Sequence, residues 1–142
     1  MKTLKQLLEA KGGNIYSIAP EARMFDALKL MADKNVGALV VLEGHRLAGI
    51  ISERDYARKV ILQGKSSHDI EVREIMTAKV ITVHPGQTVG ECMALMTGKR
   101  IRHLPVTEGD HLIGVLSIGD LVKEVIAEQE ATIKQLESYI HS

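Results

Sequence analysis

Shifting the chain by 65 residues lays residues 20–55 over residues 85–120 with no gap, and twelve of the 36 aligned positions are identical. The identical pairs are Pro20/Pro85, Leu30/Leu95, Met31/Met96, Lys34/Lys99, Leu39/Leu104, Val41/Val106, Glu43/Glu108, Gly44/Gly109, Leu47/Leu112, Gly49/Gly114, Ser52/Ser117 and Asp55/Asp120. Most other positions with a buried look keep their apolar character. The sequence is therefore a duplicated unit, and any fold assigned to one copy has to suit the other.

Each copy has the same predicted layout. A short β-like segment comes first, Asn14–Ile18 and Lys79–Val83. A helix follows, because Met24, Ala27, Leu28 and Met31 in one copy, and Val89, Cys92, Met93 and Met96 in the other, fall at i, i+3, i+4, i+7 and share a face. Next come strands Ala38–Leu42 and His103–Thr107, a polar turn at Gly44 or Gly109, and strands Leu47–Ile51 and Leu112–Leu116. These read as hairpins. A second helix starts near Glu53 and near Ile118. The order is β-α-β-β-α, twice. About fifty residues bury too little surface to stand alone, so the two copies are expected to pack on each other.

Three segments fall outside the repeats. Residues 2–11 read as an amphipathic helix ended by Gly12–Gly13. Gln63–Asp69 is polar and reads as a linker. Leu121–Ile140 reads as one long helix whose apolar Val122, Ile126, Ile133, Leu136 and Ile140 keep a 3–4 spacing broken by Gln129. That face either packs on its own chain or meets a second subunit. The expected organisation is an N-terminal helix over 1–13, a first repeat over 14–62, a linker over 63–73, a second repeat over 74–127 and a helical extension over 128–142.

Composition narrows the function. Lys plus Arg and Asp plus Glu are both 18 in 142 residues, which disfavours a basic nucleic-acid binder despite the local run Lys99, Arg100, Arg102. Four aromatic residues are too few for a base-stacking platform. One cysteine, Cys92, excludes an intrachain disulfide and any Cys-cluster zinc site. Its place on the apolar stripe suggests a buried thiol. None of the six histidines sits in a zinc motif, so no metal is expected. No apolar run has the length of a membrane span, and the first residues lack a secretory pattern. The expectation is a soluble cytoplasmic protein.

The chemistry is concentrated in Gly-apolar-apolar-Ser-x-x-Asp, present as Gly49-Ile50-Ile51-Ser52-Glu53-Arg54-Asp55 and Gly114-Val115-Leu116-Ser117-Ile118-Gly119-Asp120. It spans a strand end and a helix start. Ser-x-x-Asp has the form of a capping box, with the acid favoured by the helix dipole. The same place suits a phosphate at the helix N-terminus, and a carboxylate there can accept ribose hydroxyls. Duplication copies a cap as readily as a binding site, so the motif alone leaves both readings open.

The doubled motif, the β-α-β-β-α order and the lead-in Glu74-Ile75-Met76-Thr77 resemble a tandem pair of cystathionine-β-synthase (CBS) domains, a Bateman module. The resemblance covers about residues 14–127 and extends to small bacterial CBS-pair proteins. It implies an α+β fold of two repeats packed as a pseudo-twofold pair, with clefts holding adenosine-containing ligands: AMP, ADP, ATP, NAD(H) or S-adenosylmethionine. It implies that Asp55 and Asp120 hold ribose hydroxyls and that Ser52 and Ser117 face phosphate. Tyr16, Ile81, Ala38, Val40, His103 and Pro105 would frame the base. It further implies a homodimer and an unidentified regulated partner.

The copies differ. Arg54 and Arg58 share a helix face at i,i+4 and, with Lys59, could meet phosphate; alternatively they form a solvated face with an Asp55–Lys59 pair. The second copy has Gly119 where Arg54 stands, but Arg102 and His103 where the first has Gly37 and Ala38. The sites are expected to be unequal. The reading is a non-catalytic regulatory module sensing energy or redox state. Its rivals are an interaction adaptor with vestigial clefts and, less favoured, a nucleotide-processing enzyme using Asp120 and His103.

Overall fold

The structure, a computed structural model, describes residues 2–12 and 14–141. Gly13, half of the glycine pair expected to end the N-terminal helix, lies outside the described residues. In chain order the elements are α1 (Leu4–Lys11), β1 (Ser17–Ile18), α2 (Met24–Lys34), β2 (Ala38–Glu43), β3 (Arg46–Ser52), α3 (Glu53–Tyr56), a π-helical turn (Ala57–Ile61), a 3-10 turn (Val72–Glu74), α4 (Val89–Lys99), β4 (His103–Glu108), β5 (His111–Ser117) and α5 (Ile118–His141). The fold is α+β. Asn14–Ile81 with Gly109–Leu112 form one compact unit, and the described part of Met1–Gly13 with Thr82–Glu108 and Ile113–Ser142 form the other.

The unit built on the first repeat has a three-stranded sheet in the order β1-β2-β3, with β1 parallel and β3 antiparallel to β2. Met24, Ala27 and Met31 of α2 cover one sheet face, packing with Leu39, Val41, Ala48, Ile51 and Val60. Each Met, Leu, Val or Ile side chain among them contributes about 1.5–3 kcal/mol by leaving water, the alanines less. Ile70, Val72 and Ile75 belong to this same core, so the segment read as a linker carries side chains that close it.

In the unit built on the second repeat, α4 buries Val89, Cys92 and Met96 on the expected stripe, with Leu104, Val106, Leu116 and Leu121 also buried. Helix α1 supplies Leu4 and Leu7. Thr3 starts it with a capping box: its hydroxyl accepts from Gln6 N, and the Gln6 side chain accepts from Thr3 N.

Cover segments obey the duplication too. Leu4 N donates to Gln87 O, Lys5 N to Pro85 O, and Val89 N to Lys2 O. In the other unit Val72 N donates to Ala22 O, Arg73 N to Pro20 O, and Met24 N to Ile70 O. The same three bonds are thus made by residues 2–5 and by residues 70–73. Each segment precedes one repeat in the chain and packs with the other.

Both expected first strands are curtailed, and of Asn14–Ile18 only Ser17–Ile18 is strand. In the first repeat Val40 N donates to Tyr16 O and β1 forms. Pro105 stands at the matching place in the second repeat and has no N–H to donate. There the pairing shrinks to one bridge, Val83 with Val106, and Lys79–Val83 is not a strand. Its sheet is the hairpin β4-β5.

Helix ends repeat as well. Asn35 and Arg100, 65 residues apart, end α2 and α4 in the left-handed region at φ 54° and 55°. Asn tolerates that conformation far better than Arg.

Candidate functional site

Each Ser-x-x-Asp motif begins a helix, and in each the capping box is formed. Ser52 Oγ accepts from Asp55 N at 3.2 Å, while Asp55 Oδ2 accepts from Ser52 N and Ser52 Oγ, both at 3.0 Å. Ser117 Oγ accepts from Asp120 N at 3.2 Å, and Asp120 Oδ2 accepts from Ser117 N at 2.8 Å. The first helical N–H is also used twice over, Glu53 N to Gly37 O and Ile118 N to Arg102 O. The cap reading of the motif is therefore realised. It also fixes the carboxylates rigidly at the strand ends.

A lysine ammonium meets each carboxylate. Lys59 Nζ lies 3.3 Å from Asp55 Oδ1 and donates to Ile75 O at 2.9 Å. Lys11 Nζ donates to Asp120 Oδ2 at 2.7 Å and to Val115 O at 2.8 Å. Asp–Lys pairing at i,i+4 was legible for Lys59. Lys11 was not, since it comes from α1, 109 residues away; its only sequence signal is a position in the last turn of a helix with no other assigned role. The two carboxylates end up differently engaged. Both oxygens of Asp55 carry hydrogen bonds or charge contacts, whereas the described bonds to Asp120 fall on Oδ2.

The glycine opening each motif answers to the cover segments. A Cβ on Gly49 would stand 2.7 Å from Thr77 O and 2.7 Å from Met76 Sδ, because Ile50 and Thr77 exchange backbone hydrogen bonds across it. A Cβ on Gly114 would stand 2.5 Å from a Leu8 methyl of α1. Neither neighbour could be read from the motif.

The remaining candidates are distributed as follows. Ala38 is paired with Ser52 across β2 and β3. Val40 is buried, and Tyr16 is half-buried with Lys34 Nζ 5.5 Å from its ring centroid. Ile81 is half-buried. Arg54 and Arg58 are exposed, and no described ion pair joins them to the motif. In the other unit Pro105 is buried, Arg102 and Gly119 are exposed, and His103 is half-buried beside Asp120.

Electrostatics separate the second motif from the first. Burial raises the Asp120 carboxyl, but the Lys11 hydrogen bond, the Ser117 amide and the Lys11 charge outweigh it and hold it below its ordinary value. His103 is pushed below its ordinary value by burial first and by Lys11 second, against the pull of Asp120. Burial pushes the Cys92 thiol up to about 11, so at neutral pH it is an inert core side chain.

Both depressed groups make the unfolded chain the better proton acceptor, so stability is lost on acidification. The His103 contribution is complete above its ordinary 6.5 and lost as pH falls through its lowered value. That of Asp120 is complete above 3.8 and lost below. Melting temperatures from pH 7 to 3 should show His103→Ala flattening the upper part of the decline and Asp120→Asn the lower part. Variants melting in parallel with the parent throughout would contradict this assignment.

Among the described residues no group of three His, Cys, Asp or Glu side chains has a metal-binding arrangement. No described helix is long and apolar enough to cross a membrane.

Two successive units of this architecture, each with a Ser-x-x-Asp turn after its hairpin, define a paired-repeat module. Comparison identifies the class: the family model for the CBS domain matches residues 12–61 and 72–127, and the chain belongs to the CBS-domain family. It is 44% identical over 147 residues to the mitochondrial CBS domain-containing protein CBSX3 of Arabidopsis thaliana, covering 97% of this chain and 71% of that one. A solved protein with CBS domains from Burkholderia ambifaria superposes with a TM-score of 0.87 at 56% identity, over 90% of this chain and 96% of that one. The CBS domain pair of protein MJ0100, solved in complex with 5′-methylthioadenosine and S-adenosyl-L-methionine, superposes with a TM-score of 0.77 at 25% identity, over 87% of this chain and 99% of that one.

Proposed function

We propose that this CBS pair is a non-catalytic regulatory module that binds an adenosine-containing ligand, AMP, ADP, ATP, NAD(H) or S-adenosylmethionine, and passes its occupancy to a partner protein. The observation that carries this reading is the pair of clamped carboxylates. A fixed, ionised Asp120 with Oδ1 facing no described hydrogen bond suits the two hydroxyls of a ribose. That the MJ0100 pair was solved with two adenosine compounds supports the same ligand class. Arg54 and Arg58, exposed beside the first motif, suit phosphate. The second motif offers instead a neutral His103, able to donate and accept one hydrogen bond each. The motifs thus favour different ends of a nucleotide, and a signal arises only if the ligand binds two arrangements of the module unequally.

A second reading, an interaction adaptor without ligand, is favoured by one observation: a lysine already sits on each aspartate. Calorimetric titration of nucleotide-stripped protein with AMP, ATP, NAD⁺, NADH and S-adenosylmethionine decides between them. Binding of at least one is expected. At a hundred times its Kd that ligand stabilises the fold by about 2.7 kcal/mol. Folded protein that takes up none of the series would leave the adaptor.

A further inference from the structure

Helix α5 runs for 24 residues, but its own chain covers only its start. Leu121 is buried, whereas every residue from Gln129 to His141 is exposed. The exposed apolar residues form a pattern: Val122, Ile126, Ile133, Leu136 and Ile140 are 41%, 49%, 54%, 58% and 75% exposed. With Gln129 in the gap, the spacing is 4-3-4-3-4, a continuous heptad register with one polar residue, in which Ile126, Ile133 and Ile140 are a positions and Val122, Gln129 and Leu136 are d positions. Beyond its packed start the helix draws little packing from its own chain, although most helical stability in proteins comes from burying an amphipathic face. The seam calls for another helix.

We infer that α5 pairs antiparallel with α5 of a second copy of this chain, centred on residue 131. The charges select both the partner and the direction. In an antiparallel pair an a residue faces a d residue, and e faces e. Ile126 then meets Leu136 of the partner subunit, Ile133 meets Gln129 of the partner subunit, and Ile140 meets Val122 of the partner subunit. Each layer occurs twice by symmetry. The e positions are Lys123, Glu130 and Glu137. In the same register Lys123 faces Glu137 of the partner subunit, twice, and only the central Glu130 residues face each other. No described ion pair within the chain engages Lys123 or Glu137. A parallel pair would instead set g against e, Val125 with Glu130 and Thr132 with Glu137, and neither attraction would form. The two Gln129 amides lie in adjacent central layers, where a polar pair fixes register. The overlap, 122 to 140, is about 28 Å long. This inference is independent of the nucleotide reading: it names the second copy's seat, whatever the module binds.

The test uses full-length Ile126→Cys and Leu136→Cys proteins, one carrying a mass tag, oxidised separately and after mixing under subunit exchange. Both positions are exposed, and the inert, buried Cys92 does not compete. A disulfide in the mixture, with little in either protein alone, is the expected result. Self-linking of each protein alone would mean parallel pairing, and no linking in either arm would mean the seam serves another partner; both overturn the inference. In the double-cysteine protein, Lys123→Glu should reduce linking, and Lys123→Glu with Glu137→Lys should restore it. Restoration cannot arise from misfolding.

Discussion

Replacing Asp120 by alanine is expected to weaken binding of an adenosine ligand at its motif by about 10- to 100-fold, since a hydrogen bond to a charged group contributes about 1.5–3 kcal/mol and 1.4 kcal/mol is tenfold. Asp55→Ala should have the smaller effect. Both oxygens of Asp55 are engaged by Ser52 and Lys59, whereas the described bonds to Asp120 leave Oδ1 to the ligand. Each substitution also removes a capping box, which costs about 1 kcal/mol of stability. That part shows in the melting temperature and not in the affinity of the folded protein. The discriminating ligand is 2′,3′-dideoxyadenosine monophosphate. It should bind the parent as weakly as AMP binds Asp120→Ala, and the variant should lose little further. If folded Asp120→Ala binds AMP like the parent, the carboxylates are caps and nothing more.

Gly49→Ala is expected to be markedly destabilising. Its Cβ would fall 2.7 Å from a backbone carbonyl, Thr77 O, which two hydrogen bonds with Ile50 hold in place. Overpacking of this kind costs about 1–3 kcal/mol, a fall in melting temperature of roughly 3–10 °C for a chain this size. Gly114→Ala makes the instructive comparison. It stands at the same position of the second motif, yet the three atoms nearest its Cβ would all belong to Leu8, a half-buried side chain that can turn aside. Thermal melts of both variants should rank Gly49→Ala well below Gly114→Ala. Equal melts would mean that the Met76–Thr77 segment yields as easily as a leucine.

The duplication made much of this legible. A stripe such as Met24, Ala27, Met31 repeated as Val89, Cys92, Met96 fixes helix, face and register together, because two copies must satisfy one periodicity. The motif carboxylates were legible for the same reason. What the duplication could not convey was contact between distant segments. Lys11 reaches Asp120 across 109 residues, and no local pattern marks it. Ile70 and Val72 stand near a polar run, so the segment reads as a linker although its apolar side chains close a core. Pro105 shows the opposite failure. Its effect on the first strand of its repeat follows directly from the missing N–H, whereas the duplication by itself implies the same strand in both copies. The long helix left two options open, and exposure of its seam points away from packing on its own chain.

The exchange of cover segments has a consequence for how the chain comes into being. The sheet and core described for the first unit lie wholly within residues 14–81, so that half can condense while synthesis continues. Helix α1 emerges earlier still, yet Asp120 and Val115, which Lys11 holds, are made more than a hundred residues later. At about 5–20 residues per second, Lys11 waits on the order of ten seconds for Asp120. During translation the first helix thus gains its full set of partners only after Asp120 is made, and until then its apolar face is the surface that a nascent-chain chaperone would meet.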